Sequence, residues 1–165
     1  MRSLGPLPAI AVIATLLCGC GKSEPDGGGA GADGPPAASA EPTATEKAAL
    51  LAALPAPYNT ADLANGQAQF ALCASCHTLP AGGPNMTGPN LHGVLGRPAG
   101  QAAGYQYSDA MKAAGFTWDA AHIDQWITNP RVMLPGTKMT FVGLSDPKDR
   151  SDLIAYLMVE NHYKP

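Results

Sequence analysis

Cys73-Ala74-Ser75-Cys76-His77 is a C-x-x-C-H motif, which is the spacing that attaches a c-type haem. Two thiols at this spacing can each add to one vinyl group of the same porphyrin. The adjacent imidazole then lies beneath the ring, where it can bind the iron. We therefore expect one covalent haem, with Cys73 and Cys76 as its attachment points and His77 as an iron ligand.

Two other kinds of site use closely spaced cysteines. A thioredoxin-like dithiol needs a βαβ setting, and the residues around the motif have no alternating or β-branched strand pattern. A zinc site needs four ligands, usually from a second C-x-x-C or a pair of histidines at a defined spacing, and no such second half occurs. The motif therefore favours haem over both alternatives.

The start of the chain has the pattern of an exported protein. The apolar run of residues 7–17 is too short to cross a bilayer as a helix. It ends in LCGC at residues 17–20, which resembles a bacterial lipoprotein signal, in which the cysteine after the cleavage site is acylated. An ordinary cleaved signal peptide, giving a soluble periplasmic protein, is the alternative. We expect a lipoprotein-type signal over residues 1–19 and a lipid on Cys20, which would anchor the protein on the periplasmic side of a membrane.

A tether is predicted over residues 20–57. Gly, Ala, Pro, Ser and Glu dominate this segment, and almost no large apolar side chain occurs before Leu50. Such a composition cannot bury enough apolar surface to offset the entropy lost on ordering. We expect a disordered linker, in which residues 46–54 form a transient helical turn or two before Pro55 and Pro57 stop it.

The rest of the chain, residues 58–165, is expected to be an all-α haem domain, since no convincing strand pattern occurs in it. Capping and stop signals predict four short helices joined by long loops. The first begins at Asn59 or Thr60 and reaches the first cysteine, two more span about 108–114 and 119–129, and the last begins at Asp146. Gly66 and Phe70 on the first helix are expected to pack against Leu153, Tyr156 and Leu157 on the last.

Composition limits the class of protein. An aromatic content of 6% is low for a self-sufficient core, and a buried porphyrin would supply the missing apolar surface. From Tyr58 onward the chain has seven Lys and Arg against eight Asp and Glu. A strongly basic docking ring is therefore not expected, and we expect no nucleic-acid partner.

The second axial ligand is open at this point. The candidates are Met86, Met111, Met133, Met139, Met158 and the three other histidines. A methionine thioether raises the potential of a His-ligated haem and suits electron transfer, whereas an open site suits ligand binding. Met139 follows the stiff Pro-Gly-Thr-Lys turn, which can lay a side chain across the open haem face. Local chemistry favours Met139 over Met133 and leaves both as candidates.

Five stretches of the sequence resemble class I cytochrome c in the order and spacing of that family. They are CASCHTLPAGG, TGPNLHGVLGR, GYQYSDAMKAAGFTWD, NPRVMLPGTKMTFVGL and DRSDLIAYL, within about residues 64–163. The chain is similar to the mitochondrial and bacterial c2 type over nearly the whole predicted domain. The resemblance implies a small all-α fold of short helices and long loops wrapped around one covalently bound haem c.

The resemblance also implies roles for individual residues. Cys73 and Cys76 match the thioether residues, His77 the proximal ligand and Met139 the distal ligand, while Pro89 matches the proline whose carbonyl accepts the imidazole N–H. A second group matches residues near the haem edge and its propionates, whose buried charge is costly unless it is paired. These are Arg97, Tyr107 and Trp118 at the inner propionate, Asn129 and Thr137 near the propionates and distal loop, and Phe141 beside the haem edge. Trp126 and Met111 depart from the family pattern in a way that makes the distal pocket less polar.

The function that the resemblance implies is one-electron transfer without a transformed substrate. We expect a monomeric carrier, tethered to the membrane, between a quinol-oxidising cytochrome complex and a terminal oxidase or photosynthetic reaction centre. The alternative is a haem domain through which electrons enter a periplasmic reductase or peroxidase. A haem-based gas sensor needs an open sixth position on the iron, against which the intact PGTKM stretch argues.

Overall fold

The computed structural model describes residues 42–164, which form six α-helices and one short 3-10 helix. The described range contains no named β-strand, only an isolated antiparallel bridge between Pro98 and Thr117. The all-α prediction is confirmed. None of the helices in this range is both long and apolar enough to cross a membrane. In chain order the helices are α1 (Ala44–Ala52), the 3-10 helix (Tyr58–Thr60), α2 (Leu63–Ala74), α3 (Asp109–Lys112), α4 (Ala120–Thr128), α5 (Pro130–Met133) and α6 (Pro147–Glu160).

Helix α2 begins later than predicted. Asp62 caps it, and the Asp62 carboxylate accepts hydrogen bonds from the backbone N–H groups of Ala64 and Asn65. The predicted caps, Asn59 and Thr60, lie instead in the 3-10 helix that precedes α2. The prediction was wrong because several capping residues stand close together here, and spacing alone does not select among them.

The predicted contact between the first and last helices of the haem domain is confirmed. Gly66 of α2 is buried, and a Cβ atom at this position would lie 2.3 Å from the Asp152 carbonyl oxygen of α6. One helical turn further along, the Phe70 and Tyr156 rings pack with their centroids 5.7 Å apart. Helix α6 is the centre of the core, with Leu153 among its fully buried side chains.

Helix α1 corrects the predicted boundary of the tether. Thr43 and Glu46 form a capping box at its start, and Lys47 forms an ion pair with Glu160 of α6. Leu54, two residues after the end of the helix, is buried in the core. The segment from Thr43 to Leu54 is therefore part of the folded domain. The signal over residues 1–19, the lipid on Cys20 and the tether over residues 20–41 lie outside the described residues.

A buried carboxylate in α6, Asp152, holds α2 in place. Its oxygens accept hydrogen bonds from the backbone N–H of Asp62 at 3.0 Å, from the Asn65 side-chain amide at 2.7 Å and from Lys148 Nζ at 2.5 Å. Burial alone would raise the pKa of Asp152, but the hydrogen bonds outweigh burial and hold this pKa below its ordinary value. The ionised carboxylate therefore stabilises the junction of α2 and α6.

We expect Asp152→Ala to lower the free energy of unfolding of the holoprotein by about 2–3 kcal/mol at neutral pH, because buried donors lose their acceptor. The pKa of Asp152 is lower in the native state than in the unfolded state. The stabilisation is therefore present above the unfolded-state pKa of about 3.9 and is lost as the pH falls through the native pKa. Denaturant unfolding at neutral pH and near pH 3 measures both effects. The exposed carboxylate of Asp109 provides a control, and Asp109→Ala should leave stability nearly unchanged. If the difference in unfolding free energy between the wild type and Asp152→Ala does not shrink at acid pH, this account is contradicted.

Candidate haem site

Both cysteines and the histidine of the C-x-x-C-H motif line a cavity of about 300 Å³. Its wall combines side chains from α2, α3, α4 and α6 with the loops that connect them. The structure brings ten of the eleven predicted site residues to this one wall. They are Cys73, Cys76, His77, Pro89, Arg97, Tyr107, Trp118, Thr137, Met139 and Phe141.

His77 is oriented by the loop that follows it. Its Nδ1 atom lies 2.7 Å from the carbonyl oxygen of Pro89, so we assign the proton to Nδ1, which donates to that oxygen. Nε2 is then the nitrogen that can bind iron. Burial lowers the pKa of His77, and the hydrogen bond to Pro89 offsets this only in part. The site therefore favours a neutral imidazole, which is the form that ligates a metal.

Gly88 is a functional residue that the sequence analysis missed. A Cβ atom at this position would lie 2.2 Å from Cε1 of the His77 ring, and the Gly88 N–H donates to the Cys76 carbonyl oxygen at 2.8 Å. The imidazole therefore occupies the space that any side chain at residue 88 would need. The Gly-Pro pair within TGPN is the sequence signal that could have indicated this close approach.

We expect Gly88→Ala to keep its covalent haem but to displace the His77 ring, because the new methyl group overlaps the ring atoms. The expected result is a high-spin fraction in the oxidised spectrum and a loss of stability of about 1–3 kcal/mol, typical of overpacking. Absorption spectra and thermal unfolding measure both effects. Thr87→Ala provides a control in the same loop that adds no volume beside His77. A Gly88→Ala spectrum identical to the wild type would show that the ring tolerates the methyl group.

No disulfide joins the two motif cysteines. Burial raises the pKa of the Cys73 thiol to about 11, with a smaller contribution from the neighbouring Cys76. A redox-active dithiol needs the opposite, because the thiolate is the nucleophile and a lowered pKa provides it. The thiol environment therefore argues against the thioredoxin-like alternative.

The distal wall distinguishes the methionines that the sequence left open. Met139 lines the cavity, and so does Met111 of α3, whereas Met133 of α5 does not. The turn before Met139 is held in place, since Lys138 Nζ donates to the Gln106 carbonyl oxygen at 2.6 Å and the Met139 N–H donates to Thr137 Oγ1 at 3.2 Å. The geometry therefore favours Met139 over Met133 as the second ligand.

Arg97 provides a test of whether the cavity suits a porphyrin. Its guanidinium is half-buried and donates to two backbone carbonyls, those of His92 at 3.2 Å and Asn90 at 3.1 Å. Burial lowers the pKa of Arg97, and nearby Tyr107 partly counters this. No carboxylate of residues 42–164 pairs with it. A half-buried cation with no opposite charge beside it is unfavourable, so a propionate of a bound haem fits this wall.

Asn129 is the predicted site residue that the structure does not bring to the cavity. It ends α4 and caps α5, where its side-chain oxygen accepts a hydrogen bond from the Val132 N–H at 3.2 Å. Asparagine is among the most favourable capping residues, and the place near the propionates and distal loop that the resemblance implies for Asn129 stays a prediction.

Apolar side chains of α4 form part of the cavity wall. Ile123, Trp126 and Ile127 of α4 line the cavity. The Trp126 and Trp118 rings pack edge to face with their centroids 5.4 Å apart. Periodicity predicts that these side chains face inward, but it does not tell a haem wall from an ordinary core.

Comparisons with known proteins agree with this geometry. The Cytochrome c family model matches residues 63–159 of the chain. Cytochrome c of Kluyveromyces lactis is 44% identical over 106 residues, which are 64% of this chain and 96% of that relative. Cytochrome c2 of Rhodoblastus acidophilus is 51% identical over 92 residues, 56% of this chain and 86% of the relative. The solved structure of cytochrome cH from Methylobacterium extorquens matches with a TM-score of 0.55 and 49% identity. The match covers 58% of this chain and 96% of the cytochrome cH chain.

Proposed function

Because the chain belongs to the cytochrome c family, we propose that it carries single electrons between complexes of a membrane redox chain while it stays tethered to that membrane. Membership implies a class I fold, one covalent haem c and haem-based electron transfer with redox partners. The relatives are electron-transfer cytochromes rather than enzymes. The observation that supports the proposal most is the single cavity that collects both motif cysteines, His77 and Met139.

The residues of this chain would hold the haem and set its potential. A bound haem supplies a one-electron iron couple. Cys73 and Cys76 fix it covalently, and His77 offers Nε2 while Pro89 holds the imidazole ring in one orientation. Met139 offers a neutral sulfur, which favours the reduced metal and therefore a high potential. Apolar side chains such as Trp118 exclude water from the wall.

The tether that we propose is shorter than the sequence suggested. Since α1 belongs to the folded domain, the linker from an acylated Cys20 ends near Pro42 rather than at residue 57. A flexible linker of that length has a typical reach of about 25–30 Å. We place the protein on the periplasmic side as a monomer with neither an enzymatic activity nor a nucleic-acid partner. Tethering raises its local concentration at the membrane complexes.

Redox kinetics in membranes of the source organism test the proposed function. In membranes without the quinol-oxidising cytochrome complex, the haem should stay oxidised after quinol is added. In membranes without the terminal oxidase or reaction centre, it should stay reduced. Restoring each complex provides the control. If the haem is instead oxidised only when nitrite or peroxide is supplied, the protein serves a periplasmic reductase or peroxidase and the proposal is wrong.

We expect Cys20→Ser to release a soluble haem protein or to leave an uncleaved precursor, with an unchanged haem spectrum, because the residue to be acylated is missing. Partition between detergent and water and the mass of the mature N-terminus measure this outcome. Cys18→Ser provides a matched control, since it places another small residue before the cleavage site and should keep the protein in the detergent phase. Wild-type protein found in the aqueous phase, with an N-terminus beyond Cys20, would exclude the lipid anchor.

A further inference from the structure

Exposed apolar side chains border the haem cavity. Within residues 42–164 the large hydrophobic residues that are strongly exposed are Leu72 at 54%, Met86 at 47%, Val132 at 75% and Val142 at 88%. Leu72 itself lines the cavity, while Met86 and Val142 each adjoin a lining residue. Since Leu72 is both a wall residue and more than half exposed, the cavity reaches the protein surface beside it. We call Leu72, Met86 and Val142 the apolar mouth patch.

The backbone holds two members of the apolar mouth patch in place. The Met86 N–H donates to the Gly88 carbonyl oxygen at 2.9 Å, and the Gly88 N–H donates to the Cys76 carbonyl oxygen at 2.8 Å. Met86 is thus fixed next to a haem attachment point. On the other side, the Leu144 N–H donates to the Ile127 carbonyl oxygen at 2.8 Å and anchors the chain that follows Val142 to α4. These hydrogen bonds fix the backbone at Met86 and close to Val142, whose side chains are both exposed.

Charge is sparse around the same opening. Residues 42–164 contain eight Lys and Arg against nine Asp and Glu. Four of the basic residues form ion pairs with carboxylates of the described chain, namely Lys47, Lys112, Lys148 and Arg150. Among the cavity-lining residues, Lys138 and Arg97 are the Lys or Arg side chains, and no Asp or Glu lines the wall. An acidic partner surface would therefore find little positive charge at the cavity opening.

We propose that the apolar mouth patch is the surface by which this protein docks on its redox partners, and that these partners present an apolar, weakly charged face. The proposal rests on the carrier function above. A partner must approach the cavity opening to exchange an electron, and burial of Leu72, Met86 and Val142 favours that approach without opposite charges. Electrostatic steering, which speeds association at low salt, is not needed by a protein that is held near its partner.

The rate of haem oxidation by the detergent-solubilised terminal oxidase of the source organism tests this proposal. For the wild-type holoprotein, the second-order rate constant should change less than about twofold across a salt series. The rate constants of charge-steered reactions fall steeply over such a series. Met86→Ser with Val142→Ser should lower it about tenfold, as loss of central contacts does. Val132→Ser is the matched control, because the exposure of Val132 lies between those of Met86 and Val142 but no residue of its helix, α5, lines the cavity. Reduction by ascorbate should proceed at the wild-type rate in the variants.

Other outcomes would overturn the proposal in recognisable ways. A rate that falls steeply with salt, and that the double variant leaves unchanged, would assign docking to charge. Wild-type dimers in sedimentation that the double variant abolishes would make a second copy of the chain the occupant of the patch. Binding to phosphatidylcholine vesicles that the variant loses would make it a lipid contact. A wild-type haem that neither the oxidase nor any membrane complex oxidises would contradict the carrier function itself, and the docking surface with it.

Discussion

Replacement of Met139 by alanine should abolish the weak far-red absorption band of the oxidised protein, which marks charge transfer from sulfur to iron. It should also lower the midpoint potential by on the order of hundreds of millivolts, because axial ligands dominate the potential of haem iron. Both effects follow from the place of Met139 in the cavity wall, after a turn that Lys138 and Thr137 hold in position. Absorption spectra and a potentiometric titration of the holoprotein measure them.

Two other methionines provide controls for this prediction. Met133→Leu should keep the band, since Met133 does not line the cavity. Met111→Leu is the more demanding control, because Met111 is a second thioether in the wall and is 5% exposed. If Met111→Leu removes the band and Met139→Ala keeps it, the distal ligand is Met111 and our assignment is wrong.

Replacement of Gly66 by alanine should destabilise the holoprotein by about 3 kcal/mol or more, which is a large part of the 5–15 kcal/mol of a typical domain. The new Cβ atom would lie 2.3 Å from the Asp152 carbonyl oxygen and 2.7 Å from Cβ of Tyr156. The backbone atom cannot rotate away, so α2 and α6 must separate. Alanine gains about 1 kcal/mol of helix propensity over glycine, which is too little to reverse the sign. Denaturant unfolding followed at the haem band measures the loss.

A second substitution in α2 separates this overlap from a general effect on the helix. Ala68 is exposed on the same helix. Ala68→Val also adds volume but should change stability by less than about 1 kcal/mol, which corresponds to its lower helix propensity. Equal losses for the two variants would show that the close approach of α2 and α6 is not what Gly66 permits.

Local chemistry predicted Cys73, Cys76 and His77, and the resemblance supplied most of the other predicted residues that line the same cavity. The C-x-x-C-H spacing identifies two attachment points and one ligand without knowledge of the fold. The Pro-Gly turn before Met139 likewise indicated the distal wall. Gly88 was missed because a glycine next to a proline usually signals a turn, whereas here it makes room for the His77 ring.

The predicted end of the tether was wrong because it depended on a tertiary partner. The segment around α1 has a linker-like composition, and contacts such as the ion pair of Lys47 with Glu160 of α6 hold it in the folded domain. The resemblance matched Asn129 to a polar residue near the propionates and distal loop, and the structure adds that its side chain caps α5. In both cases composition or residue type alone did not reveal the contact, which depends on three-dimensional neighbours.

The mass of the denatured holoprotein tests the central claim most directly. If the cavity is the site of a c-type haem, the wild-type polypeptide should carry the mass of one haem after unfolding and an acid-acetone wash. Cys73→Ser with Cys76→Ser should have the mass of the polypeptide alone, because no thiol of the motif remains to form the thioether bonds. A wild-type protein that loses its haem in the wash would contradict covalent attachment at Cys73 and Cys76.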